Sequence, residues 1–324
     1  MSEHDTRYSA ATDAQIGSRP VDRPAIIGAK TVAIHRWDID RPMAALHIVH
    51  GMAEHAGRYA RLAARLNAAG IAVWAHDHRG HGSNPTPPVG LGHFADHDGW
   101  RALVDDSWSA ASALGQTYPE LPLYLFGHSM GSFVAQTLIT AHGGAWEGVV
   151  LCGSDGPARA GEAFLRFYAG LERRLVGFRS PSPRIDSLTF GRFNQVFKPN
   201  RTRFDWLSRD TGEVDKYIAD PLCGFSLTTQ SWCDFLDGRR AQSTGDRFAR
   251  VPRALPIRII AGAKDPVGDN GRGPRRLLDA YKDAGLTDVT LRLYDDARHE
   301  LVNELNRDEV TDELIAWLQR PLTR

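Results

Sequence analysis

The sequence predicts an α/β fold: a mostly parallel, doubly wound sheet whose two halves are separated by a helical insert. Three observations predict it. Short apolar runs alternate with amphipathic helical segments, the pattern of strands buried on both faces. A Gly-x-Ser-x-Gly turn stands between one such run and one such helix. The alternation pauses after Gly156 and resumes at Leu255.

The elements follow in order. Lys30 to Asp40 alternates Val32, Ile34, Trp37 and Ile39 with mostly polar neighbours, which predicts early, partly exposed antiparallel strands. Ala44 to Val49 is apolar except for His47 and reads as a buried strand. It runs into His50-Gly51-Met52-Ala53-Glu54-His55-Ala56-Gly57-Arg58-Tyr59. Tyr59, Leu62, Ala63, Leu66 and Ala69 share a helical face, and Gly70 is a helix stop. Ile71 to Trp74 is the next strand, leading into His76-Asp77-His78-Arg79-Gly80-His81-Gly82-Ser83 and a proline-rich loop. Trp100, Leu103, Val104, Trp108, Ala111 and Leu114 mark a helix. Leu121 to Phe126 is the strand before the serine turn, and Gly148 to Leu151 is another.

Between Gly156 and about Arg250 only helices are expected. Phe164, Tyr168, Leu171 and Leu175 form one stripe, and Asp210 with Glu213 reads as a capping pair. Leu255 to Ala261 and Val289 to Tyr294 then read as strands, Pro274 to Ala284 and Glu309 to Leu318 as helices. The expected organisation is a flexible tail over 1–28, a core over 29–155, a helical cap over 156–250 and the second part of the core over 251–324. Such an insert is expected to lie over the strand ends, where doubly wound sheets bind ligands.

Bulk composition narrows the function. With 42% hydrophobic and 24% charged residues, the chain can bury a sizeable core. Lysine plus arginine and aspartate plus glutamate each number 39, so the basic field that nucleic-acid binding needs is absent. Three cysteines, Cys152, Cys223 and Cys233, make no disulfide framework and favour a reducing compartment. The polar first residues lack the apolar core of a signal peptide, and no apolar run is long enough to span a bilayer. A cytoplasmic location is expected.

The chemistry is read from Gly127-His128-Ser129-Met130-Gly131. A serine on a very tight strand-to-helix turn has strained backbone angles, and its neighbours two residues away must lack a Cβ. A serine hydroxyl is a poor nucleophile at neutral pH and needs a base, itself oriented by a carboxylate. Behind such a turn the chain order is serine, acid, histidine, each on a loop after a strand. Asp265 follows the strand ending at Ala261, and His299 follows the one ending at Tyr294. His299 is the only histidine beyond His142. Asp269, Asp295 and Asp296 are nearby alternatives for the acid, the last two too close to His299 along the chain to reach its ring. Donors for a developing oxyanion are expected at the backbone N–H groups of Met130 and Met52. This chemistry needs no cofactor.

Four motifs, His50-Gly51-x-x-Glu54-His55-x-x-Arg58-Tyr59, Asp77-x-Arg79-Gly80-His81-Gly82-Ser83, the Ser129 turn and His299-Glu300-Leu301-x-Asn303-Glu304, occur in order. Together they resemble the monoacylglycerol lipase and lysophospholipase branch of the alpha/beta hydrolases, from Ala44 to the end. The resemblance implies a cytosolic or membrane-peripheral serine hydrolase with a cap, acting on esters of medium- or long-chain acyl groups. It places the triad on Ser129, Asp265 and His299 and the oxyanion donors on Met52 and Met130. One departure is Ser132, where the family has a further glycine.

Other features carry two readings each. His76, His78 and His81 resemble the H-x-H-x-D-H zinc signature, but Gly80 stands where that signature requires aspartate, so a structural loop is expected and no metal. Glu54, His55, Arg58 and Tyr59 either shape the loop beside Met52 or cap the next helix. The aromatic residues Phe193, Phe197, Phe204, Trp206, Phe225, Trp232 and Phe235 either line an acyl pocket or fill the cap's own core. Cys152, on an apolar strand, is expected to be inert.

The expected function is hydrolysis of carboxylic esters, monoacylglycerols or short acyl esters, with a small-molecule partner and transient membrane-surface contact through the cap. An aminopeptidase, a thioesterase, a carbon–carbon bond hydrolase on the same triad, and a silent ligand-binding module remain open.

Overall fold

The computed structural model describes residues 25–27 and 30–320. Most of the expected tail, 1–28, lies outside these residues; Ala25–Ile27 within it forms a strand, β1, paired antiparallel with β2, Lys30–Val32.

Seven strands make the main sheet: β3 Ile34–Trp37, β4 Ala44–Val49, β5 Ile71–His76, β6 Leu123–His128, β7 Gly148–Cys152, β8 Ile257–Gly262 and β9 Val289–Tyr294. Their order is β3-β5-β4-β6-β7-β8-β9. Only β3 is antiparallel to its neighbour. The continuous apolar runs are needed because successive side chains enter opposite layers. On one face Leu46, Ile48, Val73, Phe126 and Val150 pack with α1, Ala60–Ala68, and a closing helix at Arg307–Leu318. On the other, Leu125, Val149, Leu151 and Ile259 pack with α2, Gly99–Thr117, and α3, Met130–His142.

The register aligns the strand ends: Val49 faces Gly127, Gly127 faces Leu151, and Leu151 faces Ile259. The loops bearing Met52, Ser129 and Asp265 therefore leave the sheet along one edge, at the carboxyl ends of parallel strands.

Between β7 and β8 the chain is helical. The insert includes α4, Ala160–Val176, short helices at Pro183–Asp186 and Arg192–Gln195, and longer ones at Thr211–Ala219 and Thr229–Gln242. The Asp210 carboxylate accepts from the N–H groups of Gly212 and Glu213, the expected cap. The α4 stripe behaves otherwise than its pattern suggests. Ala169 and Glu172 turn inward, while Phe164, Phe167 and Leu175 are 68%, 69% and 72% exposed. Among the described residues no helix is long and apolar enough to cross a membrane.

Candidate active site

Ser129 is the residue between β6 and α3, and its backbone sits at φ +51°, ψ −120°. That strain is sustained by close approach on both sides. A Cβ on Gly131 would lie 2.1 Å from the Val49 carbonyl oxygen, and one on Gly127 would lie 2.5 Å from that of Gly131. The Ser132 departure has a use. Its hydroxyl donates to the Ser129 carbonyl at 2.6 Å and meets the Ser154 hydroxyl at 2.8 Å, pinning the turn to the loop after β7.

Of the four candidate carboxylates, Asp265 is the one that meets His299, Oδ2 to Nδ1 at 2.9 Å. Its other oxygen accepts from the Val267 N–H at 2.9 Å, so the carboxylate is held from both ends. Both side chains are buried. Asp269 turns instead to Arg159 and Arg272. Burial works to lower the His299 pKa, but the Asp265 charge and hydrogen bond outweigh it, and the imidazole is raised above its ordinary value. The Trp206 ring lies 5.0 Å from the His299 ring, and that of His128 4.8 Å. Burial, then the neighbouring His299, push His128 down to about 4, so it is neutral at pH 7.

Ser129 and His299 open onto one cavity lobe of about 280 Å³. A second lobe of about 150 Å³ shares Met52, Ser129, Phe190 and Trp206 with the first. The first carries polar groups from the insert, Asp186, Arg203 and Ser226. The Ser226 hydroxyl donates to Asp186, whose pKa burial raises to about 6. The second lobe is walled by Phe133, Phe193, Trp232 and Phe235 and reaches the Arg239 guanidinium. Arg239 lies over the Phe133 ring at 3.9 Å and pairs with Glu162 at 3.1 Å.

The aromatic residues of the insert thus divide. Trp206 and Phe204 belong to the insert's own core and also line the first lobe. Phe197 lines neither lobe and lies beneath Arg298, 4.1 Å from its guanidinium.

Met52 and Met130 flank Ser129, one in the turn after β4, the other opening α3. Among the described residues neither backbone N–H has a protein acceptor. The turn bearing Met52 is braced from beneath. Glu54 accepts from the Gly51 N–H at 2.5 Å, Tyr59 at 2.9 Å and Arg58 at 2.6 Å. The loop-shaping reading of Glu54, Arg58 and Tyr59 is therefore the one realised. The insert grips the same turn: the Tyr217 hydroxyl and the Gly224 N–H donate to the Ala53 carbonyl at 2.8 and 2.9 Å. Sequence reasoning missed Tyr217, Asp186 and Ser226, because a hydrogen bond across 164 residues leaves no local pattern.

The histidine-rich stretch ties loops together. His78 donates its N–H to His50 Nε2 at 3.0 Å, and His47 and His76 meet at 3.0 Å. Asp77 accepts from the N–H groups of Ala56 and Ser83.

Sheet order, serine turn and buried His–Asp pair define an α/β hydrolase. The chain belongs to the family described as serine aminopeptidase, S33 (Hydrolase_4), whose model matches residues 40–306. It is 28% identical over 296 residues to a monoacylglycerol lipase of Mycolicibacterium smegmatis, covering 90% of this chain and 94% of that one. A monoglyceride lipase of Mus musculus is 29% identical over 285 residues, covering 86% and 82% of the two chains. The solved structure of a highly thermostable carboxyl esterase from Bacillus coagulans in complex with glycerol has a TM-score of 0.82 at 27% identity, covering 90% and 95%. The resemblance read from the four motifs is borne out.

Proposed function

We propose that this protein hydrolyses carboxylic esters, monoacylglycerols or short acyl esters, through Ser129, His299 and Asp265. The observation that carries the reading is the opening of Ser129 and of the Asp265-paired His299 onto one cavity with a polar and an apolar lobe. Relatives named as monoacylglycerol lipases support the substrate class.

His299 takes the Ser129 proton as the hydroxyl attacks the ester carbonyl. The N–H groups of Met52 and Met130 receive the oxyanion. Asp265 fixes the imidazole tautomer and stabilises the imidazolium. His299 then protonates the departing alcohol, and water repeats the sequence on the acyl-enzyme. The alcohol must leave beside His299, which lines the polar lobe and not the apolar one. A hydroxylated alcohol such as glycerol suits Asp186 and Ser226, and the acyl chain suits the aromatic lobe.

Residues 156–250 act as a lid in this reading. The exposed Phe164, Phe167, Leu171 and Leu175 on α4 support its contact with a membrane surface that presents lipid substrate. Three free cysteines support a cytoplasmic location.

The test is a panel of p-nitrophenyl esters, monoacylglycerols and aminoacyl anilides, run on the wild type and Ser129→Ala, with fluorophosphonate labelling. Ester cleavage lost in Ser129→Ala, together with labelling at Ser129, is expected. Cleavage of anilides alone, or no labelling, overturns the reading.

A further inference from the structure

Beside the turn that bears Met52, and lining neither lobe, three side chains of metal-ligating type meet. His55, Asp220 and Cys223 each bring one ligand atom to within 4.8 Å of the other two. Among the described residues no other three histidine, cysteine or acidic side chains do so. The local chain builds the set. Cys223 N–H donates to the Asp220 carbonyl at 3.0 Å, a turn that brings the two side chains together. Asp220 Oδ1 accepts from the Leu222 N–H at 2.8 Å, which leaves Oδ2 facing His55 Nε2, also at 2.8 Å. All three residues are half-buried, open enough for an ion to enter from solvent.

We propose that His55, Asp220 and Cys223 bind one zinc ion, which clamps the helical insert to the turn bearing Met52. One nitrogen, one oxygen and one sulfur ligand suit a borderline-soft cation and not magnesium or calcium, which take all-oxygen sites. Bond lengths of about 2.0–2.3 Å put tetrahedral ligand atoms roughly 3.3–3.8 Å apart. His55 and Asp220 would part slightly and Cys223 would close in, with water completing the shell. Without metal the His55–Asp220 hydrogen bond holds the two ligands in place. Coordination expels the thiol proton of Cys223. Arg58, whose charge reaches Asp220 and Cys223, is paired with both Glu54 and Glu300, two carboxylates against one guanidinium. The two segments that supply the ligands are those joined at the Ala53 carbonyl by Tyr217 and Gly224, and at the same seam the ion replaces the His55–Asp220 hydrogen bond.

The full chain, stripped with EDTA, is titrated with Zn²⁺ by calorimetry and with Co²⁺ by absorbance. One ion per chain is expected, with a Kd of about 1 μM or tighter, and a thiolate-to-cobalt charge-transfer band. At a hundredfold excess over Kd, the Tm should rise by about 2–5 °C. Cys223→Ser should abolish the band, and Cys223→Ser and Asp220→Asn should each weaken zinc binding about tenfold or more. Both variants should keep wild-type circular dichroism and metal-free ester hydrolysis, which separates loss of the site from loss of the fold. No stoichiometric binding, or binding unchanged in the Asp220→Asn/Cys223→Ser double variant, overturns the proposal.

Discussion

Arg58 grips Glu300 with both terminal nitrogens, each 2.7 Å from a carboxylate oxygen, and holds Glu54 with one of them at 2.6 Å. Glu54 braces the turn bearing Met52, and Glu300 is the neighbour of His299. One guanidinium therefore joins the two halves of the site, 242 residues apart in the chain. Burial alone would raise both carboxyls, but Arg58 is the next-largest influence and holds them below the usual range.

Arg58→Met removes the cation and leaves two buried carboxylates side by side. Breaking a buried pair on one side costs on the order of 3–5 kcal/mol. Urea unfolding at pH 7 should show a loss of that size. A change below about 1 kcal/mol would mean that the network contributes little.

Asp265→Asn keeps the shape of the partner but removes its charge and favours the wrong tautomer of His299. By analogy with serine-protease triads, a fall in kcat of about ten-thousandfold is expected, with KM little altered. Steady-state kinetics on a p-nitrophenyl ester measure it. A loss under tenfold would point to another carboxylate as the working partner.

The pH profile follows from His299. Only the neutral imidazole can accept the Ser129 proton, and the folded-state pKa is raised above 6.5. Activity should be full above that pKa and disappear as pH falls through it. The acid limb of kcat/KM should have its midpoint above 6.5, and a midpoint well below 6 would contradict the assignment.

Acid stability rests on different histidines. His76, His81 and His128 are fully buried, and burial, the largest cause for each, pushes them down to about 4. The unfolded chain binds protons near 6.5 that the folded chain refuses. Stability therefore falls as pH drops from about 6.5 towards 4, by about 1.4 kcal/mol per unit for each such group. His47, His50 and His78, also lowered by burial, add to this loss, while His299 with its raised pKa, and Asp186 and Asp234, raised by burial to about 6, work in the opposite sense. Thermal melts between pH 7 and 5 should show a steep decline in Tm; a flat profile would rule the mechanism out.

In the proposed reading the apolar lobe takes the acyl chain. A cavity near 150 Å³ accommodates a molecule the size of benzene, about six carbons. Ester chains of about that length should give the highest kcat/KM, and Phe235→Ala should shift the optimum to longer chains. An unchanged optimum in that variant would show that the acyl group lies elsewhere.

The α/β alternation, the serine turn and the order Ser129, Asp265, His299 were legible because each is local. A buried parallel strand needs an unbroken apolar run, and a strained turn needs glycines at fixed positions beside it. Asp265 was favoured over Asp269 by its place after a strand and by the resemblance, since residues four apart on one loop differ only in where the backbone aims them. The stripe on α4 marked a helix correctly, but periodicity reports that a helix has an apolar face, not what that face meets. Here Phe164, Leu171 and Leu175 are exposed, while Tyr168 packs against the core.

Residue order along the chain was thus enough to specify the fold class and to propose Ser129 as nucleophile and His299 as its base. Tertiary packing alone decided how Tyr217 and Gly224 seize the Ala53 carbonyl and that His55 lies beside Asp220 and Cys223, and it brought Asp265, the expected partner, against His299. The physical reason is range. Local patterns encode backbone geometry over a few residues, whereas contacts spanning 34 to 165 residues arise only when the sheet brings strand ends and insert together.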